Sequence, residues 1–342
     1  MDKKKMIPSV QTMQQLADYV GLSRQTLSKY FNDPQQIGEK TRNHIQLAVE
    51  ETGFRPNLFA SNLKRNKSRV IGIIVPSITD PFYMLLVSRI SEIAEKLGYF
   101  TFTLPSNGKL TLEADAVARL QSMNVAGVLV VPLGKDAVQP KLRRIEENLP
   151  MIYLDSPPSH PAPFIGTDNK QGITLLVDYL CQKGTPPAFL AMPEINQNAK
   201  TRLNAYQDAM AKNREIPLVL QSDGRVDWQF ETYGYQQTAS WLEHKPKHNA
   251  LLCANDRLAY GAFLAAWEAK IPVGINDEKL RIAGHDDHPL AAYTCPPLTT
   301  AAQNYDMLAE SAITMLITHM TKGDTTTNPQ LIPMKLVIRQ SA

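Results

Sequence analysis

The chain has 342 residues, 43% of them hydrophobic and 20% charged, with 36 Lys and Arg against 33 Asp and Glu. That composition suits an ordinary globular protein of about two domains and excludes disordered and fibrous classes. No apolar run approaches the roughly 18 residues of a membrane span. Cys181, Cys253 and Cys295 lie too far apart for a metal-spaced cluster or a disulfide framework. Met1–Lys5 is basic, but no hydrophobic stretch with a cleavage site follows. The sequence therefore predicts a cytoplasmic protein without a membrane partner.

The net charge of +3 conceals a split. Residues 1–69 hold twelve Lys and Arg against six Asp and Glu, a net +6, and the remaining 273 residues carry −3. A basic head on a slightly acidic body points to a polyanionic partner for the head, although a solvated lysine-rich terminus has the same composition.

Taken in chain order, the head reads as short helices. Thr12 and Gln15 have the spacing of a capping box, and Met13, Leu16, Ala17 and Val20 then share one helical face. Gly21 supplies a turn and Ser23 can cap a second helix, which Asn32-Asp33-Pro34 stops. A third amphipathic helix is predicted from about Glu39 to Thr52, with Ile45, Ala48 and Val49 inward and Gly53 at its end. At about 100° per residue, the second helix sends Arg24, Gln25, Ser28 and Lys29 to one side. Leu27, Tyr30 and Phe31 lie on the other. Arg or Lys donates to guanine O6 and N7, and Gln pairs with adenine, so the polar side suits base edges. Two helices joined at a glycine, the second bearing such a face, form a helix-turn-helix.

Asn57 can cap a further helix holding Leu58, Phe59, Ala60 and Leu63. Eight residues are too few for a stable isolated helix, so this one should order only against a partner; on these residues alone an ordinary interdomain linker is the preferred reading. Lys64, Arg65, Lys67 and Arg69 beside it can touch phosphates or stay solvated.

From Val70 onward, strands and helices alternate. Strands are predicted at 70–75, 100–104, 127–131, 151–154, 164–166, 188–192, 250–253 and 280–284. Helices are predicted at 81–97, 111–122, 170–183, 199–213, 232–244, 257–269 and 304–320. Such alternation means right-handed βαβ units and parallel sheets covered on both faces. Its length implies two lobes.

The run Thr12–Asn32 (TMQQLADYVGLSRQTLSKYFN), with Glu50–Leu63 (EETGFRPNLFASNL) and the strand Val70–Pro76, resembles the lactose-repressor (LacI/GalR) family of bacterial transcription regulators. The resemblance covers nearly the whole chain. It implies an N-terminal all-α helix-turn-helix headpiece and a two-lobed α/β effector domain like the type I periplasmic sugar-binding proteins. The expected boundaries are 1–56 for the DNA-binding domain, 57–69 for the hinge helix and linker, and 70–342 for effector binding and dimerisation.

It also implies residue roles. Arg24, Gln25 and Lys29 become base readers, with Ser28 on the same face. The family commonly has Arg where Lys29 stands, and a lysine lacks the planar fork for bidentate pairing. Gly38 replaces the usual Ser or Thr helix cap. Asn57 and Ala60 belong to a hinge helix that pairs across a homodimer, with Leu63 wedged into the minor groove. In the body, Asp80 and Phe82 of the Asp-Pro-Phe-Tyr turn, Asp155, Arg202, Asn255 and Asp286 match effector positions. Trp228 or Phe230 supplies a ring against the ligand, the register being open by a residue. Asp168 is expected to close the lobes and His285 to pack beside the site. Many relatives carry Arg after the aspartate, where this chain has Ser156. A neutral sugar is the family default, yet Ser156 leaves room for a sugar acid or phosphate.

These features predict a sequence-specific regulator, a repressor first of all, that binds double-stranded DNA at a pseudopalindromic operator under control of a carbohydrate-type effector. Inducer and corepressor both remain open. The chain lacks a heptad tail, which favours a dimer over a tetramer. His285 and His288 near Asp286 and Asp287 lack a matching ligand set, so no metal is expected. No Gly-rich phosphate loop, nucleophile elbow or Ser/His/Asp set appears, so neither cofactor nor catalysis is expected. The alternatives are a sugar-binding protein without a DNA role and a sugar-modifying α/β enzyme.

Overall fold

The computed structural model describes residues 10–56, 68–134, 143, 145–220, 228–246, 248–276, 279–323 and 328–342. The chain divides into two compact units, Met1–Ser68 and Arg69–Ala342.

In the first unit, helices α1 (Met13–Val20), α2 (Arg24–Asn32) and α3 (Glu39–Thr52) surround a small core. Thr12 Oγ1 accepts from the Gln15 amide while Gln15 Oε1 accepts from the Thr12 amide at 3.0 Å, which closes the capping box. Gly21 then turns the chain with φ of +69°, a conformation that costs glycine nothing. Ser23 Oγ accepts from the Thr26 amide at 3.1 Å and starts α2. Leu16, Leu27 and Ile45, one from each helix, are fully buried together with Ala17, Ala48 and Phe54. Gly38 provides no side-chain cap to α3, as its lack of a hydroxyl demands.

The second unit contains two six-stranded sheets. The first joins β1 (Val70–Val75), β2 (Phe100–Pro105), β3 (Gly127–Val130), β4 (Met151–Leu154), β5 (Phe164–Thr167) and β11 (Gln330–Ile332), in the order β11-β5-β4-β3-β1-β2. The second joins β6 (Ala188–Leu190), β7 (Leu218–Leu220), β8 (Ala250–Cys253), β9 (Arg281–Asp286), β10 (Thr299–Ala302) and β12 (Lys335–Val337), in the order β12-β10-β9-β8-β6-β7. All pairings are parallel except β10 with β12. Four short strands escaped the sequence pattern: 218–220, 299–302, 330–332 and 335–337. The antiparallel β12 departs from the expectation of parallel sheets, because only residues 333 and 334 separate it from β11 of the first sheet, so the chain crosses directly and enters the second sheet from its crevice end.

Helices α4 (Pro81–Lys96), α5 (Leu110–Ser122) and α10 (Tyr305–Lys322) pack on the first sheet, forming lobe one. Helices α6 (Asn169–Gln182), α7 (Gln197–Lys212), α8 (Phe230–Glu243) and α9 (Asp256–Glu268) pack around the second, forming lobe two. The chain passes between lobes after β5, after β10 and after β11. The C-terminal strand ends of both sheets border one crevice, the place where open α/β sheets bind ligands.

Candidate functional site

The polar face of α2 is built by its apolar face. Leu27 has no accessible surface, and Tyr30 and Phe31 pack beside it, with Phe31 reaching the Phe54 ring at 5.9 Å. With that side committed, Arg24, Gln25, Ser28 and Lys29 are all exposed. They form a patch of two cations, an amide and a hydroxyl, matched to base edges and phosphates. Asn57, Ala60 and Leu63 lie outside the described residues.

The crevice is lined by Asp80, Phe82, Tyr83 and Asp155 from lobe one and by Met192, Ile195, Asn196, Asn198, Arg202, Trp228, Phe230, Asn255, Asp286 and Gln303. All seven effector candidates from the sequence lie here, and both Trp228 and Phe230 do. The free space among these side chains is about 30 Å³, room for one or two water molecules.

Each candidate owes its place to a strand end or a helix start. Asp80 caps α4, accepting from the Phe82 amide at 3.0 Å. Asn255 caps α9, accepting from the Leu258 amide at 2.8 Å. Asp155 follows β4 with φ of +65°, and Asp286 ends β9 with φ of +119°. Non-glycine residues rarely take such values, and strain of this kind collects at functional sites.

Arg202 is the centre of a buried network. Its Nε donates to Asn169 Oδ1 at 2.7 Å, Nη1 to the Ala254 carbonyl at 2.7 Å, and Nη2 to Asp286 Oδ1 at 3.2 Å. Gln303 Nε2 donates to the same Asp286 oxygen at 2.7 Å, and His285 Nδ1 does so at 2.8 Å. Burial alone would raise the Asp286 carboxyl, but the Arg202 guanidinium and the His285 ring hold it below the usual carboxylate range. Burial, aided by Arg202, pushes the His285 imidazole down to about 4. It is therefore neutral at pH 7, with its proton on Nδ1 facing Asp286.

Asp155 differs. Burial pushes its carboxyl up to about 7 against the pull of Arg202. Tyr83 donates its hydroxyl to Asp155 Oδ2 at 3.1 Å, and Asn198 Nδ2 donates to Oδ1 at 3.2 Å from the opposite lobe. The two aspartates at the crevice are thus one firmly ionised acid and one poised near neutrality.

Several residues here carried no recognised sequence signal. Asn169, Asn198 and Gln303 complete the network, and Tyr83 bonds Asp155. Arg257 donates to Asp80 across the crevice. Asn169 directly follows Asp168, and Arg257 follows the Asn255-Asp256 pair, so adjacency was the available hint. Asp168 does not line the crevice; it caps α6, accepting from the Gln171 amide, and its amide donates to the Ile332 carbonyl. Ser156 is fully buried and also absent from the lining. Among the described residues, no His, Cys, Asp and Glu cluster has metal-holding geometry.

Residues 12–57 match the family described as bacterial regulatory proteins, lacI family. Residues 177–342 match the periplasmic binding protein-like domain. The chain is similar to the lactose operon repressor of Escherichia coli strain K12, 29% identical over 335 residues, 96% of this chain and 90% of the relative.

This chain belongs to the lacI family of bacterial regulatory proteins.

As a lacI-family protein it is a DNA-binding transcriptional regulator, with a helix-turn-helix head and a type I periplasmic-binding-like body. The ribose operon repressor of Escherichia coli strain K12 is 27% identical over 314 residues, 91% of this chain and 93% of the relative. A crystal structure of the lac repressor dimer bound to operator and the anti-inducer ONPF superposes with a TM-score of 0.85 at 27% identity, covering 96% of this chain and 98% of that one. Among the described residues, no helix is long and apolar enough to cross a membrane.

Proposed function

We propose that this lacI-family regulator is a cytoplasmic homodimeric repressor, without a catalytic role, whose grip on a pseudopalindromic operator is set by an uncharged carbohydrate-type effector. Arg24, Gln25 and Lys29 read bases from the major groove, with Ser28 beside them. Residues 1–56 form the reading head, 57–69 the hinge and linker, and 70–342 the effector and dimerisation body. Asn57, Ala60 and Leu63 take the hinge role that the family resemblance assigns them.

In the body, Asp80, Asp155, Asn255 and Asp286 receive or orient hydroxyls, and Phe82, Trp228 and Phe230 offer rings to C–H faces. Arg202 holds one of these carboxylates, Asp286. One observation carries the choice of an uncharged ligand. Every guanidinium nitrogen of Arg202 and Arg257 already donates to a protein acceptor. Among the described residues lining the crevice, Arg202 is the one arginine and it is already paired with Asp286, and Ser156 adds no cation. A hydroxylated neutral molecule trades hydrogen bonds with this network without bringing a charge into it.

The mechanism follows from two states. An effector moves the operator equilibrium only if it binds one lobe arrangement better than the other. A free space of about 30 Å³ is too small for a hexose, so the lobes must part for entry.

The test is a gel-shift of the full chain on a library of pseudopalindromes, repeated with D-galactose, D-ribose, D-gluconate and D-glucose 6-phosphate. Salt-sensitive selection of a palindrome supports the repressor reading, and sequence-indifferent binding ends it. Modulation by D-gluconate or D-glucose 6-phosphate, with the neutral sugars silent, would overturn the choice of ligand.

A further inference from the structure

Behind the residues that line the crevice stands an arginine that the effector reading leaves unused as a ligand group. Arg257, at the start of α9 in lobe two, makes four side-chain hydrogen bonds. Its Nη1 donates to Asp80 Oδ2 in lobe one at 2.7 Å. Its Nε and Nη2 donate to the two Glu231 oxygens at 2.6 and 2.7 Å, and Nη2 also donates to the Trp228 carbonyl at 3.1 Å. The guanidinium lies over the Phe230 ring, 4.9 Å from its centroid. One side chain therefore holds both ends of the segment that presents Trp228 and Phe230, and reaches across the crevice.

Trp228 itself straddles the lobes. It packs against the core of each, its ring 5.7 Å from Phe230 in lobe two and 6.0 Å from Tyr83 in lobe one. A β-carbon on Gly108 of lobe one would sit 2.6 Å from Trp228 Nε1. Gly108 has φ of +67°, so both its conformation and its lack of a side chain admit the indole there.

We propose that Arg257 is the positioning residue of the crevice: it clamps the Trp228–Glu231 segment and latches it to Asp80, so that the aromatic wall and the closed lobes form as one unit. Two observations carry this independently, the Arg257 fan of donors and the indole seated in the opposite lobe. Asp80 is well placed as the catch because its other oxygen caps α4, which fixes the carboxylate. The Asp80 and Arg257 side chains are only 6% and 14% exposed. Salt screens such a pair weakly, and breaking it strands a buried charge. Parting the lobes must break this contact, so the latch sets how readily a ligand enters. The inference rests on the crevice being the effector site, but its test uses no effector.

The experiment is ¹⁹F NMR of the full chain labelled with 5-fluorotryptophan, which gives one resonance each for Trp228, Trp241 and Trp267. Trp228→Phe assigns the first by its disappearance. Trp241 and Trp267 lie on α8 and α9, the helices that carry Glu231 and Arg257, so their unmoved resonances certify folding in each variant. Arg257→Gln is expected to displace or broaden the Trp228 resonance alone, and Arg257→Lys to restore it in part, since an ammonium can pair with one carboxylate but cannot fan over both. Asp80→Asn keeps the capping oxygen and removes the charge; it is expected to move the Trp228 resonance in the same direction. An unmoved Trp228 resonance in Arg257→Gln overturns the clamp. An unmoved one in Asp80→Asn overturns the latch between lobes. Failure of the sugar reading would show only in the gel-shift with sugars and would leave these spectra as expected.

Discussion

Arg24 in the head and Arg202 in the body are the same residue type put to opposite uses. Arg24 stands in water on α2, beside exposed Gln25, Ser28 and Lys29. Arg202 is buried, with each of its nitrogens donating within the protein. An exposed cation keeps its hydration until a phosphate or base edge replaces it, which suits a partner that carries its own charge. A buried cation must be paired by the protein from the start. The head therefore offers charge, whereas the body consumes it internally and offers hydroxyl-matched geometry instead.

The contrast breaks most visibly at Arg202. Arg202→Ala strands the buried, ionised Asp286 and should lower body stability by about 3–5 kcal/mol. At about 2–4 °C per kcal/mol for a unit of this size, the body transition in calorimetry should fall by roughly 10 °C. Any sugar response in the gel-shift should vanish, while palindrome selection below the transition persists. A variant that melts normally would show that Arg202 is not the hub of the network.

Asp155 sharpens the comparison through pH. Burial raises its folded-state pKa from 3.8 to about 7. A carboxyl raised by folding contributes stability that is present at low pH and is lost as pH rises through the folded value. The window is about pH 4 to 7. Glu113, buried on α5 with its Oε1 accepting from the Leu133 amide, is also pushed up to about 7 by burial and acts in the same direction. Asp155→Asn should thus reduce, but not abolish, the fall in melting temperature between pH 5 and pH 8. Adding Glu113→Gln should flatten it further. The effect is a few kcal/mol at most. An Asp155→Asn profile parallel to the parent's would mean that the carboxyl is ionised throughout.

On the head side, Arg24→Ala should cost about 1–3 kcal/mol at the base it reads, roughly ten- to a hundredfold in relative affinity. Selection from a site library should relax at one position of each half-site while the others hold. A uniform loss across all sites would reassign Arg24 to a phosphate. The body's sugar response and melting should not change, which keeps the two halves of the comparison separate.

The head was readable because its determinants are local. Thr12 with Gln15, Gly21, Ser23 and the spacing of Leu27 and Phe31 all act within one or two turns, and the structure places each where the pattern demands. In the body, Asp155 stands directly after the apolar run Met151–Leu154, whereas Asp286, behind Gly284 and His285, was marked by its match to the family's effector positions. Arg257 was not readable in this way. Its partner Asp80 is 177 positions away, and only the meeting of the two lobes makes them neighbours. Strand β10 hid for a related reason. Thr299–Ala302 is made of small residues with no apolar run, and its burial comes from lying between β9 and β12.

The smallest test concerns the one place where the head departs from its own logic. Both α1 and α2 begin with a hydroxyl cap, whereas α3 begins at Gly38 with no side-chain hydrogen bond. The backbone there has φ of −56° and ψ of 145°, which a serine adopts freely. A β-carbon at Gly38 would meet nothing within 4 Å. Gly38→Ser should therefore gain a capping bond to the α3 amides without strain, and remove some unfolded-state freedom as well. The expected gain is a few tenths of a kcal/mol, seen as a rise of one or two degrees in the head transition with the body transition fixed. A fall instead would show that a hydroxyl at this position makes no capping bond to the α3 amides.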